Sequence, residues 1–226
     1  MKKIFLFCMV FALTLALGFG SALAGPSSKF AAQVSSVALI APTDDLAYQK
    51  VLETTIKTPN KKDLLIGASF ETGLYTKTSV KSMNGGLDTS SATAGIKIKV
   101  LIDGAEAQPG EVIYDKRAQT LSAKLGGYFS DCVDANGDGI IDVTTECVLN
   151  PEEIELILDT MAAHHFNFVA ANLTPGVHTV AVWAKIETLT SSIAGLADAK
   201  ALVGKGSLTV EEVRATNSPD GIVFLE

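Results

Sequence analysis

The sequence predicts an all-β domain, a two-sheet β-sandwich of jelly-roll or immunoglobulin-like form. One observation is strict alternation: Ile96, Ile98, Val100 and Ile102 are interleaved with Lys97, Lys99 and Leu101. That is the period of a strand with one buried and one largely wet face. A second is spacing, because about nine or ten short apolar runs are separated by Gly, Pro and Asn, as in sandwiches. A third is Trp183, flanked by apolar residues on both faces, which marks its strand as central.

Taken in order, residues 1–24 read as an export signal outside the fold. Lys2 and Lys3 precede an apolar run, and Ala22-Leu23-Ala24 forms a small-residue cleavage site before Gly25. The competing reading is an uncleaved membrane anchor. The remainder, 25–226, suits a single β-sandwich domain. Residues 43–50 are expected to hold a short helical turn. Strands are expected over 63–70, 74–80 and 96–102, with 82–91 as a loop and Asp103-Gly104 as a turn. Further strands are expected over 112–115, 118–125, 154–160, 165–171, 177–186, 199–203 and 207–214. Leu173-Thr174-Pro175-Gly176 carries tight-turn chemistry, which makes a hairpin of the strands on either side. Residues 188–198 are left as a loop or short helix, 217–221 as a turn, and 222–225 as a last strand or loose tail.

The chain carries 18 Lys+Arg against 25 Asp+Glu, a formal net charge of −7. Loss of Lys2 and Lys3 with the export segment makes the remainder more acidic still. Arg117 and Arg214 are the only arginines, and no basic cluster exists. Nucleic-acid binding is therefore not expected, since neutralising phosphates takes clustered Lys and Arg. No membrane association is expected after signal cleavage.

The most specific stretch is Asp134-Ala135-Asn136-Gly137-Asp138-Gly139-Ile140-Ile141-Asp142. Oxygen-bearing side chains stand at its first, third, fifth and ninth places, with glycine at the sixth. Calcium takes six to eight oxygen ligands in irregular geometry, and the glycine permits the sharp turn around the ion. The competing reading is an Asn/Asp/Gly turn without metal, since these residues favour turns for backbone reasons alone.

The stretch resembles the EF-hand calcium loop and is similar to the loops of dockerin modules and thrombospondin type 3 repeats. The resemblance covers about a dozen residues, in one copy. It implies side-chain ligands Asp134, Asn136, Asp138 and Asp142, a backbone ligand at Ile140, and Ile141 pointing into the protein. It departs at the twelfth place, where Thr145 replaces the acidic residue and Glu146 follows. Glu146 closes the cage if the loop is distended; otherwise the last ligand comes from elsewhere, for example Asp131 or Glu152. The flanks lack a helix pair, so residues 131–147 are expected as an insertion between strands.

Cys132 and Cys147 bracket the loop. In an oxidising compartment they are expected to pair, the alternative being two packed thiols. The expected setting is secreted, extracellular or periplasmic.

Other chemistry is thinner. His164 and His165 adjoin and so point to opposite faces of a strand, and His178 follows on the next strand. No Gly-x-Ser-x-Gly elbow occurs. Asp63, Glu71, Asp103, Glu111 and Asp115 are the carboxylates from which a glycosidase pair would be drawn. Tyr75, Tyr114 and Tyr128 are the aromatics suited to stacking on sugars, and Asn172-Leu173-Thr174 is a glycosylation sequon. The expectation is a secreted, non-catalytic calcium-binding sandwich. The alternatives are a calcium-dependent module binding a glycan or a cell-surface protein, and a hydrolase.

Overall fold

The computed structural model describes residues 30–35 and 47–214. The expected export signal, the first half of the helical turn over 43–50 and the tail over 217–225 lie outside the described residues. Within them the protein is all-β, a two-sheet sandwich.

The first sheet holds β1 (Phe30–Ser35), β11 (Ala197–Val213), β3 (Lys62–Ser82) and β9 (Glu152–Leu173), in that spatial order. The second holds β2 (Gln49–Thr58), β10 (Gly176–Ser192) and β4 (Leu87–Ile102). Beyond β4 lie β5 (Ala105–Glu106) and β6 (Val112–Lys124), paired along different stretches of it. A small ribbon of β7 (Tyr128–Ser130) and β8 (Val148–Asn150) leaves the end of β6 and returns to the start of β9. All pairings are antiparallel.

Strands expected as separate fuse. The runs over 63–70 and 74–80 are one strand, β3; those over 154–160 and 165–171 are β9; those over 199–203 and 207–214 are parts of β11. Gly73 lies mid-strand, where a Cβ would strike the Leu202 side chain at 2.8 Å, so this glycine marks close cross-strand packing. The expected loop over 82–91 shrinks to the turn before Leu87, and the stretch over 188–198 splits between β10, a short turn and β11. Gln49 and Lys50 begin β2 and are extended, which corrects that end of the expected helical turn.

The Leu173–Gly176 turn does not close a hairpin. It carries the chain from β9 in one sheet to β10 in the other, because both strands bury a face toward the shared core. Phe168 and Val180 are both fully buried there, and each strand finds its ladder partners elsewhere. The core joins Leu64, Ile66, Ala68 and Phe70 with Ile96, Ile98, Val100, Val180 and Val182. Each large aliphatic side chain so buried contributes about 1.5–3 kcal/mol. Trp183 lies on β10, between β2 and β4, as its apolar surroundings predict.

Candidate metal centre

Between β7 and β8 the chain makes the expected excursion, and Cys132 and Cys147 close its base as a disulfide with Cα atoms 4.0 Å apart. Val133 N–H donates to the Glu146 carbonyl at 3.0 Å just inside the bridge. The loop is thus held by covalent bond, hydrogen bond and ribbon together.

Inside it, polar oxygens organise the backbone. The Asp134 carboxylate accepts from Gly137 N–H at 2.6 Å and Gly139 N–H at 2.8 Å. Asn136 Oδ1 accepts from Asp138 N–H and Asp138 Oδ1 from Ile140 N–H. Asp142 Oδ1 accepts from the backbone and hydroxyl of Thr144, and these bonds hold the Asp142 carboxyl below its usual range. Gly137 and Gly139 take φ of 73° and 84°, in the left-handed region where glycine is unstrained.

Of the three residues open for the last ligand, Glu146 enters the loop. Its Oε1 accepts from Ala135 N–H at 3.0 Å and Asn136 N–H at 3.2 Å, and its Oε2 from Asp142 N–H at 2.9 Å. Asp131 instead accepts from the Ser130 hydroxyl, and Glu152 from Gly127 N–H. Carboxylate oxygens keep lone pairs beyond those engaged by N–H groups, so these bonds are compatible with a cation. Among the described residues no group of three or more His, Cys, Asp or Glu stands at metal-ligand spacing. The loop carboxylates face backbone donors, and none of the ion pairs among the described residues includes Asp131, Asp134, Asp138, Asp142 or Glu146.

Ile141 departs from expectation. It is 47% exposed and not turned into the protein, because the ribbon holds the loop out from the sandwich and offers it no apolar bed. Val133, Ile140 and Val143 are exposed as well.

The histidines do not converge. His164 Nε2 lies 3.3 Å from Asp115 on the side facing β6, while His165 bridges Ser69 and Asn167 on the outer face. His178, in the other sheet, is buried between Asp103 and the Thr174 carbonyl, a clasp invisible to sequence spacing. Tyr114 is not an exposed stacking platform: it is buried, and its hydroxyl accepts from Phe70 N–H and donates to the His164 carbonyl. Tyr128 is exposed. Asp63, Asp103, Glu111 and Asp115 bond separate partners on different strands and turns, and Glu71 flanks Gly204.

No protein-family model and no curated protein matches the chain. Among solved structures, a CocE/NonD family hydrolase from Staphylococcus aureus is similar at 14% identity over 79% of this chain and 34% of that one, with a TM-score of 0.18. A T13 viral particle of IBDV gives 9% identity, 87% and 43% coverage, and 0.18. The Gx strain of infectious bursal disease virus gives 11% identity, 82% and 42% coverage, and 0.15. The chain spans less than half the length of each, and likeness at these scores carries no argument.

Proposed function

We propose that this is an exported, non-catalytic β-sandwich protein whose disulfide-closed loop binds one structural calcium ion. The observation that carries the reading is the entry of the Glu146 carboxylate into the same turn that Asp134 and Asn136 organise, in a loop holding no Lys, Arg or His. Unneutralised carboxylates gathered on one short loop repel each other, and a hard dication relieves that repulsion while accepting their oxygens. Asp134, Asn136, Asp138, Asp142 and Glu146 supply side-chain oxygens, and Ile140 its carbonyl. The disulfide supports export, since such bonds persist in oxidising compartments.

Calorimetry and thermal melts with calcium or with chelator test this. Binding in the range of about 0.1–1 mM is expected, as for extracellular sites, and at ten times Kd the ion stabilises the ordered loop by about 1.4 kcal/mol. Asp138→Ala and Glu146→Gln should each weaken binding about tenfold or more. No heat of binding at about 5 mM calcium would sink the proposal.

A second reading draws on the exposed Val133, Ile140, Ile141 and Tyr128 around the loop. Here the ion orders a recognition surface for a glycan or a cell-surface protein. Glycan-array binding that disappears with chelator would favour it.

A further inference from the structure

β9 ends its sheet, and its two halves are treated differently. Near its C-terminal end Gln108 bridges Val169, with backbone bonds of 2.9 Å in both directions, so the far side of the strand is occupied there. From Glu152 to Ala163 every residue is exposed, and among the described residues only β3 pairs with it. Ile154, Leu156, Ile157, Leu158 and Met161 are 40–63% exposed along this stretch. An edge that long and apolar is a template for another strand, and proteins that leave edges unpaired usually blunt them with charge, bulges or proline. β9 carries acids at Glu152, Glu153, Glu155 and Asp159, and its pairing with β3 is unbroken from residue 152 to residue 170.

The acids decide which strand fits. Two copies of β9 meeting about a twofold axis normal to the sheet place residues of the same face opposite each other, so the axis must pass through one residue position. An axis at 155 or 159 sets Glu155 or Asp159 against itself. At 156 it opposes Glu153 to Asp159, and at 157 Glu155 to Asp159. Axes at 158, 160 and 161 set no acid against an acid, and of these 158 centres the pairing on the exposed stretch from Glu152 to Ala163. Leu158 meets Leu158, Ile157 meets Asp159, Glu155 meets Met161, and Glu152 meets His164 of the second copy.

We propose that the protein forms a twofold dimer by antiparallel pairing of β9 with β9 of a second copy, centred on Leu158. The pairing runs from Glu152 to His164 and stops short of the Gln108 bridge. At about 3.3 Å per residue the contact is roughly 40 Å long, and with a sheet edge about 10 Å thick on each partner it covers roughly 800 Å² in total, the size of a weak, concentration-dependent interface. The two four-stranded sheets become one continuous sheet, and Ile154, Leu156 and Leu158 gain apolar neighbours.

Sedimentation velocity of the purified chain with its disulfide intact should show a dimer at about 100 µM. Ile157→Glu sets an acid against Asp159 twice and should weaken dimerisation about tenfold or more, whereas Ile157→Lys sets a base there and should not. Leu158→Cys should cross-link two copies under oxidation while Thr160→Cys should not, because only residues facing each other across the axis lie within disulfide reach. Circular dichroism on each variant confirms that the fold is kept. A chain monomeric at that concentration, or a dimer indifferent to Ile157→Glu, overturns the proposal and leaves the edge to a strand of another protein. Calcium titration is read separately, so failure here leaves the loop assignment standing.

Discussion

His178 Nδ1 lies 2.7 Å from Asp103 Oδ2 and its Nε2 lies 2.8 Å from the Thr174 carbonyl, so both ring nitrogens face acceptors. Only the imidazolium can donate to both. Burial pushes the imidazole pKa down, but the bonds to Asp103 and Thr174 outweigh it and the pKa is raised. Asp103 is opposed by burial in the same way, yet His178 and the Thr179 N–H hold its carboxyl below the usual range. The signs follow from linkage. The His178 contribution is fully present below about pH 6.5 and is lost as pH rises through the raised folded value. The Asp103 contribution is present above about pH 4 and is lost as pH falls through the lowered one. Denaturation midpoints measured from pH 4 to 9 should therefore fall on the alkaline side of neutrality, and His178→Gln should flatten that limb; an unchanged limb would refute the clasp. Two glycines matter for different reasons. Gly139 needs φ of 84°, so Gly139→Ala should disfavour the loop turn by about 1 kcal/mol and weaken calcium binding without lowering the main melt. Gly195 approaches the Ser79 carbonyl so closely that a Cβ would sit 1.8 Å from its oxygen. Gly195→Ala must move backbone, and its midpoint should drop.

At the scale of elements, the long strands lie over a core that changes character along its length. One half is filled by Leu64, Ile66, Phe70, Ile96 and Ile98. In the other half Thr72, Thr76 and Thr78 of β3 are fully buried, and β6 serves them from the opposite sheet. Asp115 accepts from the Thr72 hydroxyl at 2.7 Å. Gln119 accepts from Thr76, and donates to Thr78 and to the Leu156 carbonyl. Arg117 donates to the Leu74 and Leu158 carbonyls at 3.0 Å and also reaches Thr160. These three β6 side chains tie the sheets together where apolar area is scarce. Gln119→Ala strands two buried hydroxyls and a carbonyl, and should cost about 1–3 kcal/mol in chemical denaturation. A loss within about 0.5 kcal/mol, as at ordinary surface sites, would show that water replaces the amide.

For the molecule as a whole, the sandwich and the loop are separable in stability. The ribbon of β7 and β8 and its disulfide lie apart from the core cluster, whose residues all belong to the two sheets and the β5 turn. On the chain-entropy model a bridge closing about 15 residues stabilises by ~3 kcal/mol. Here that applies to ordering the loop. Replacing Cys132 and Cys147 by Ser should leave the main melt nearly unchanged, weaken calcium binding by up to about 100-fold, and speed amide exchange over residues 128–150. A large fall in the main midpoint would mean that the ribbon supports the sandwich.

Much of this was legible without coordinates. Alternation at Ile96, Ile98, Val100 and Ile102 marks a strand with one buried face, since the side-chain period of an extended chain is two, and all four are buried. Glycine at the sixth place of the loop and the bracketing cysteines mark an excursion closed by a bridge, because both are local in the chain. What sequence did not determine is which sheet a strand joins. The turn at residues 173–176 reads the same for a hairpin and for a crossing between sheets, and only the burial of Phe168 and Val180 in one core decides it. Nor could spacing separate Glu146 from Asp131 and Glu152 as the residue entering the loop, or show that the outer edge of the first half of β9 carries no strand among the described residues. Those outcomes depend on residues distant in the chain that compete for the same face or edge, and that competition is settled only when the sheets pack.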